Sequence, residues 1–275
     1  MASRTCNTGT GYGLCAVIPH KAQAMQQTAT FIFHDGLLDF LKPSVRQQPV
    51  KYTFGGKPAI KDAIEALGVP HPEVALVLSG GAPLKFNDRL YGQDEIHVYS
   101  YSSALCQVKE GTLIPKPPVP IKFVLDVHLG SLAKMLRMLG FDTLYQKNLD
   151  DAQIAHLAHT QNRIVLTRDV GLLKHKVIVH GYWLRSQYTQ EQLQEVLNRY
   201  NLAAFFTPFN RCLLCNAIIE SAPKEVIMHK IPPKTQQYFD EFFHCVTCDK
   251  VYWKGSHYEH MLSVIKGIRH TQNTG

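Results

Sequence analysis

The chain has no apolar run near the ~20 residues needed to cross a bilayer. Its one apolar stretch near the N-terminus, Leu14–Ile18, is too short for the core of a secretory leader. A membrane class is therefore excluded from the expectation, and a cytoplasmic location is the default. Cysteine is scarce as well: seven in 275 residues, of which Cys6, Cys15 and Cys106 are scattered and four form two CxxC pairs. That count excludes a disulfide-dense secreted scaffold, and paired CxxC spacing in a reducing compartment points to zinc. Acidic residues are outnumbered, 22 against 29 basic, for a net charge of +7. The excess is uneven: +2 over residues 1–116 and +5 over 117–275, where ten of the fourteen histidines also lie. This favours a polyanionic partner for the second half. At 45% hydrophobic residues a packed core is within reach, and the length suits two or three domains.

Residues 1–27 are rich in Thr, Gly, Ala and Gln without periodicity and read as a disordered leader, with Met25 as an alternative start. Residues 28–106 read as a small α+β unit. Strands are expected at Thr30–His34, Val50–Phe54, Val74–Leu78 and Asp94–Tyr101, with a helix marked by Ile60, Ile64 and Leu67 and closed by Gly68. Residues 107–120 contain four prolines and form a stiff linker.

The organising stretch is Ile121–Asp169. An apolar run stops at Asp126. Leu129, Leu132, Leu136 and Leu139 then recur at helical spacing, and Gly140 is placed to end that helix. A short strand at Phe141–Tyr145 precedes a second helix opened by Asp150 and Asp151, with Ile154, Leu157 and Ala158 as its buried side. A third apolar run ends in Thr167-Arg168-Asp169. This β-α-β-α-β order predicts a parallel sheet with right-handed crossovers. Ligands of such sheets sit beyond the carboxyl ends of the strands. Asp126 and Asp169 follow strand ends, and Asp151 starts a helix on the same edge. Three carboxylates converging there would repel unless a cation or proton lay between them. Oxygen ligands of this kind suit Mg²⁺ or Mn²⁺ and phosphate chemistry. Beyond Asp169 come a basic segment (Lys174, His175, Lys176), a strand at Val177–Val179, and a helix opened by a Thr189/Gln192 capping box.

Cys212-Leu-Leu-Cys215 and Cys245-Val-Thr-Cys248 stand 29 residues apart. Each pair suits a turn that holds two thiolates on one ion, and together they predict a Cys₄ structural zinc site with no open position. In the segment after the second pair, Tyr252 and Trp253 are candidates to stack on bases, with Lys254 and His257 near phosphates.

Residues 121 to about 260 resemble the Mut7-C RNase domain, a PIN-like nuclease fold joined to a zinc ribbon, through FVLDVHLGSLAKMLRMLGFD, DDAQIAHLAHTQNRIVLTRD, RCLLCN and CDKVYWKGSHYEHM. The N-terminal unit resembles the ubiquitin-like β-grasp domain that accompanies it. Carriers of that fold end in a free Gly-Gly, whereas here the unit ends in Tyr99-Ser100-Tyr101 and the chain continues, so docking of a protein partner is the expectation rather than conjugation. The resemblance implies a PIN-like α/β domain at 121–206, a zinc ribbon at 207–262 and a tail at 263–275. It also implies a metal-dependent ribonuclease with Asp126, Asp151 and Asp169 as the acidic set holding Mg²⁺ or Mn²⁺, and RNA as partner. Arg137 is the candidate cation at the catalytic site, or a salt bridge that holds it together. Lys134 and Arg168 are candidate phosphate contacts. Asp142 is weighed as a fourth acid or a turn residue. The rival readings are a non-catalytic zinc-ribbon RNA-binding protein and an adaptor.

Overall fold

A computed structural model describes residues 26–103, 112–113 and 115–273. Residues 1–25 of the expected leader, Met25 among them, and residues 107–111 and 114 of the proline linker lie outside the described residues, and Gln27 at the leader's end already belongs to the first strand. The first domain contains β1 (Gln27–Phe33), β2 (Val50–Phe54), α1 (Ile60–Ala66), β3 (Val74–Ser79), β4 (Ala82–Pro83) and β5 (Glu95–Ser100). The sheet order is β2-β1-β5-β3-β4, with β1 and β5 parallel at its centre. This is the mixed sheet of a β-grasp. Alternation along β1 and β5 sends Phe31, Phe33, Ile96 and Val98 to one face, where Ile60 and Ile64 of α1 close the core.

The second domain is built on a four-stranded parallel sheet. Its elements are β6 (Lys122–Leu125), α2 (Gly130–Met138), β7 (Asp142–Leu144), α3 (Asp151–Thr160), β8 (Ile164–Thr167), α4 (Val170–Leu173), β9 (Gly181–Trp183) and α5 (Thr189–Tyr200). The order is β7-β6-β8-β9. Period-2 alternation divides the strands between two cores. Phe123, Leu125, Ile164 and Leu166 face Leu132, Leu136, Val196 and Leu197 on one side. Val124 and Val165 face Ile154, Ala155, Leu172 and Leu173 on the other. Gly140 has φ +97°, and a Cβ there would stand 2.2 Å from the Thr207 carbonyl oxygen, so only glycine both ends α2 and admits that segment.

The ribbon follows with β10 (Glu220–Ala222), α6 (Lys224–Ile227), α7 (Pro233–Tyr238), β11 (Phe242–His244) and β12 (Val251–Trp253), in an antiparallel sheet of order β10-β11-β12. The last helix, α8 (Ser256–Asn273), runs through the region expected to be a tail. Ile265 and Ile268 are buried in the main core with Met261 and Val264 packed against it, a helical stripe that ties the chain's end back to the sheet.

Two further expectations are corrected. Val177–Val179 is not a strand: Val177 and Val179 are exposed, and Ile178 sits in a turn in which its amide donates to the His175 carbonyl. Pairing with β8 begins only at His180, so the strand is Gly181–Trp183. The Thr189/Gln192 box does not form. Tyr188 is the N-cap, and Gln192 is buried with its amide group donating to the Ser186 carbonyl. The capping box instead lies at the start of α3, between Asp150 and Gln153.

Among the described residues no helix is long and apolar enough to cross a membrane.

Candidate active site

Because β6 and β8 are adjacent and parallel, the residues after them leave the same edge of the sheet. Asp126 is half-buried there. Its amide donates to the Leu166 carbonyl (3.1 Å) and continues the ladder one step past the strand. Its Oδ1 accepts from the Val127 amide (2.5 Å) and its Oδ2 from the Thr167 hydroxyl (2.9 Å). The same hydroxyl oxygen accepts from the Asp169 amide (2.8 Å), so buried Thr167 links the two strand ends. Asp169 Oδ1 accepts from the Gly171 amide (2.7 Å) and caps α4, leaving Oδ2 without a protein donor among the described residues. Asp150 takes the capping role on α3, accepting from the Gln153 amide (2.8 Å), so Asp151 is left exposed in the first turn.

Burial, and then the charges of Asp169 and Asp126, raise the Asp151 carboxyl above its ordinary range. The three acids therefore share one negative field. They do not close into a ready-made cage. Among the described residues, the four cysteines are the only group of three or more His, Cys, Asp or Glu whose ligand atoms all lie within 4.8 Å of one another. Two oxygens directly on one Mg²⁺ stand at most about 4.2 Å apart. The donor set suits a hard divalent ion held by fewer than three direct carboxylates, with water completing its shell.

The cysteine cluster is closed. Cys212 and Cys248 sulfurs are 3.4 Å apart and Cys215 and Cys245 sulfurs 3.3 Å. Thiolates about 2.3 Å from a tetrahedral ion stand about 3.8 Å from each other, so zinc fits with a small expansion. The two turns are alike. Asn216 and Asp249, each following the second cysteine of its pair, take φ +74° and +62°. Each of their amides donates to the carbonyl of the pair's first cysteine, 3.0 Å at Cys212 and 2.8 Å at Cys245. Burial would push the Cys212 thiol up, but the Tyr252 hydroxyl and the amides of Cys215 and Leu214 bring it down to about 6.

Several predicted site residues sit elsewhere than expected. Arg137 makes no ion pair with Asp126 or Asp151 and is 3% exposed. Its Nε donates to the Thr143 carbonyl (2.9 Å) and its Nη1 to the Leu213 and Leu214 carbonyls (3.1 and 2.8 Å), so it clasps the first cysteine turn to the sheet. Asp142 is likewise a tie rather than a fourth acid of the rim. It pairs with Arg163 (2.7 Å) and accepts from the Asn216 side-chain amide (2.8 Å). The Tyr252 hydroxyl meets Cys212 Sγ and accepts from the Leu213 amide, both at 3.1 Å, so it braces a cysteine. Trp253 packs against the ribbon core formed by Ile227, Ile231, Phe242 and Val251. Lys254 pairs with Glu241, and His257 is exposed in the first turn of α8. Lys134 and Arg168 are exposed.

Sequence reasoning missed the seam between the first two domains. Glu73 is buried at 3% exposure, and its Oε1 accepts from the Trp183 amide (2.7 Å) on the outer edge of β9. Burial holds its carboxyl above the usual range despite Arg185 at 3.8 Å. Arg185 also donates to Asp39 and to the Gly36 carbonyl, both at 3.2 Å. His71 pairs with Glu65 (2.6 Å) and shares a 2.7 Å hydrogen bond with the Ile178 carbonyl. Trp183 in turn donates from its indole nitrogen to the carbonyl of Arg168, next to Asp169 (3.1 Å). A covered strand edge is the signal that was available: β9 would otherwise expose unpaired amides.

Residues 121–265 match the Mut7-C RNAse domain family, and residues 26–105 match the Mut7-C ubiquitin family. No curated protein and no solved structure matches the chain significantly. The first match runs from the opening strand of the parallel sheet, across the acidic rim and both cysteine turns, and into α8. It covers more than half of the residues, and on that ground the chain belongs to the Mut7-C RNAse domain family, preceded by that family's ubiquitin-like domain.

Proposed function

We propose that the protein is a metal-dependent ribonuclease that hydrolyses RNA phosphodiester bonds at the rim formed by Asp126, Asp151 and Asp169, with zinc in the cysteine cluster as a structural ion. The observation that carries this reading is the shared negative field of three carboxylates at the carboxyl edge of a parallel sheet, in a chain of this family. A divalent cation bound there supplies Lewis-acid neutralisation of the phosphate and a lowered pKa for the attacking water. The protein's own part is to hold the ligands. Thr167 and the Val127 amide fix both oxygens of Asp126. The Gly171 amide fixes one oxygen of Asp169 and leaves the other for a ligand. Asp151 stands exposed at the start of α3, where the charges of Asp169 and Asp126 act on it. The ubiquitin-like domain has its first docking partner within the chain, the β9 edge.

The test is cleavage of single-stranded and structured RNA by wild type and by Asp126→Asn, with Mn²⁺ or without added metal. Cleavage by wild type only with metal is expected, with a loss of about 10³-fold or more in the variant. The alternative is an RNA-binding protein without catalysis. It is favoured by one observation, that the three carboxylates stand wider apart than a single-ion cage. Binding of RNA with no cleavage of any substrate in Mn²⁺ would establish it.

A further inference from the structure

Two neighbouring cavities on the ribbon side of the rim differ in chemistry. The first, of about 370 Å³, is lined by His128, Ser131, Lys134, Arg137 and Lys147, with Gly130 at the start of α2. No acidic side chain lines it, and among the described residues Lys134 and Lys147 have no acidic partner within ion-pair distance. Arg137, itself 3% exposed, has no protein acceptor for Nη2 among the described residues. Helix α2 begins without a side-chain cap, so its first amides add to the positive field. Tyr145, also in the lining, donates to the Val127 carbonyl (2.8 Å), which sets this cavity against the residue that follows Asp126.

The second cavity, of about 240 Å³, is aromatic: Phe209, Phe243, Tyr252, Trp253 and Tyr258 line it with Met261. Its two cations are already satisfied. Arg211 donates to the carbonyls of Gly140 and Asn216, and Lys254 pairs with Glu241. It therefore offers mainly ring faces, with Arg211 held in its wall by carbonyls and Lys254 neutralised by Glu241. Leu213, at the tip of the first cysteine turn, lines both cavities. A depression that shares Lys134 and Leu213 with the first, and Leu213 and Met261 with the second, joins them.

We propose that these cavities form one track for single-stranded RNA, with a backbone phosphate in the cationic pocket beside the rim and an unpaired base in the aromatic pocket of the ribbon. The identity of the polymer rests on the ribonuclease reading. The division of labour follows from the linings. Phosphates need unpaired cations and free helix amides, whereas a base needs ring faces to stack on. A base held in a duplex stack cannot enter an aromatic pocket, so the track selects unpaired RNA.

The experiment measures binding with the full-length Asp126→Asn chain in its zinc-loaded form, with neither added divalent ion nor chelator. The probes are a labelled 12-nucleotide single strand, its duplex, and the same strand with abasic positions. The single strand is expected to bind at least about tenfold tighter than the duplex, with removal of bases costing about tenfold. Adding Lys134→Ala and Lys147→Ala to this chain should weaken both single strands and reduce the salt slope by about 0.7 per lost cation. Adding Tyr258→Ala should weaken the native strand about tenfold and leave the abasic strand unchanged. Zinc content and far-UV circular dichroism check that each variant is folded. Equal affinity for duplex and single strand, or for native and abasic strands, overturns the proposal. So does a lysine variant with an unchanged salt slope. Metal-dependent cleavage by wild type is scored separately, so the track can fail while the nuclease reading stands, and the reverse.

Discussion

The cysteine cluster and the acidic rim are both sets of potential ion ligands gathered at turns, and they differ in what holds the donor atoms. Four sulfurs lie in mutual contact because each pair sits in a turn closed by its own backbone hydrogen bonds, and because thiols can be neutral and hydrogen-bonded to one another. Ionised carboxylates cannot crowd in this way. The three rim acids stay wider apart: Asp126 and Asp169 are tied by different backbone donors, and the Asp151 carboxyl is raised first by burial and then by their two charges. A complete thiolate set leaves no position for substrate, whereas spread carboxylates leave room for water and phosphate. On the proposed reading, an ion in the first would hold the fold and an ion at the second would do chemistry.

The largest effect that would sharpen this contrast is removal of zinc. Structural zinc contributes about 10–16 kcal/mol of apparent binding energy in small ribbons, and the ribbon's own apolar cluster here is small. Cys245→Ser should lose the bound zinc, measured as stoichiometry per chain, and the near-ultraviolet signal of Trp253. Dialysis against Mg²⁺-free buffer should leave both unchanged.

Next is Arg137, which the comparison assigns to the ribbon and not to the rim. Arg137→Ala would strip three carbonyls of a buried, charged donor, at a cost of about 3–5 kcal/mol. Thermal unfolding should show that loss, with weakened zinc retention. A variant that keeps its zinc and melting temperature but loses cleavage would return Arg137 to the catalytic site.

A smaller loss is expected on the rim's side of the molecule. Glu73→Ala would leave the Trp183 amide unpaired and Arg185 without its buried carboxylate. The expected cost is about 2–3 kcal/mol. Hydrogen exchange should rise along β9 and in the loop carrying Arg168 and Asp169, and stay unchanged in the cysteine turns. Exchange that rises equally in both places would break the distinction.

The smallest effect concerns acid. Burial opposes ionisation of Asp142, yet hydrogen bonds from Arg163 and Asn216 hold its carboxyl below the ordinary value. A depressed folded pKa contributes stability that is present above the unfolded value of about 3.9 and is lost as pH falls through the folded one. Asp142→Asn should therefore be less stable than wild type at neutral pH and lose less on acidification below about pH 4. Parallel melting curves of the two proteins check this.

Much of this was legible in the chain. The leucine spacing of α2, the stop at Gly140, the two acids after strand ends with a third at a helix start, and the paired cysteines are local patterns, and local patterns act through backbone geometry that any context preserves. The failures were of another kind. Val177–Val179 has strand composition, but its valines face solvent and pairing starts at His180. Residues 263–273 have no N-terminal signal of their own because they continue a helix begun at Ser256. Arg137 sits one turn from Lys134 on the same helix, yet one side chain is buried under a cysteine turn and the other is exposed. Spacing alone could not tell them apart.

The sequence by itself determined the parallel sheet, the carboxylates on one edge and the thiolate pairs, since each depends on residue type and short-range period. Only the tertiary structure decided which charges serve the fold and which stay free. Arg137, Asp142 and Glu73 are held by carbonyls, amides and partners 6 to 112 residues away, while Lys134, Lys147 and Asp151 remain at the surface. Those assignments follow from burial, because a charge withdrawn from water must find a partner, and the partner is supplied by whatever distant segment packs against it.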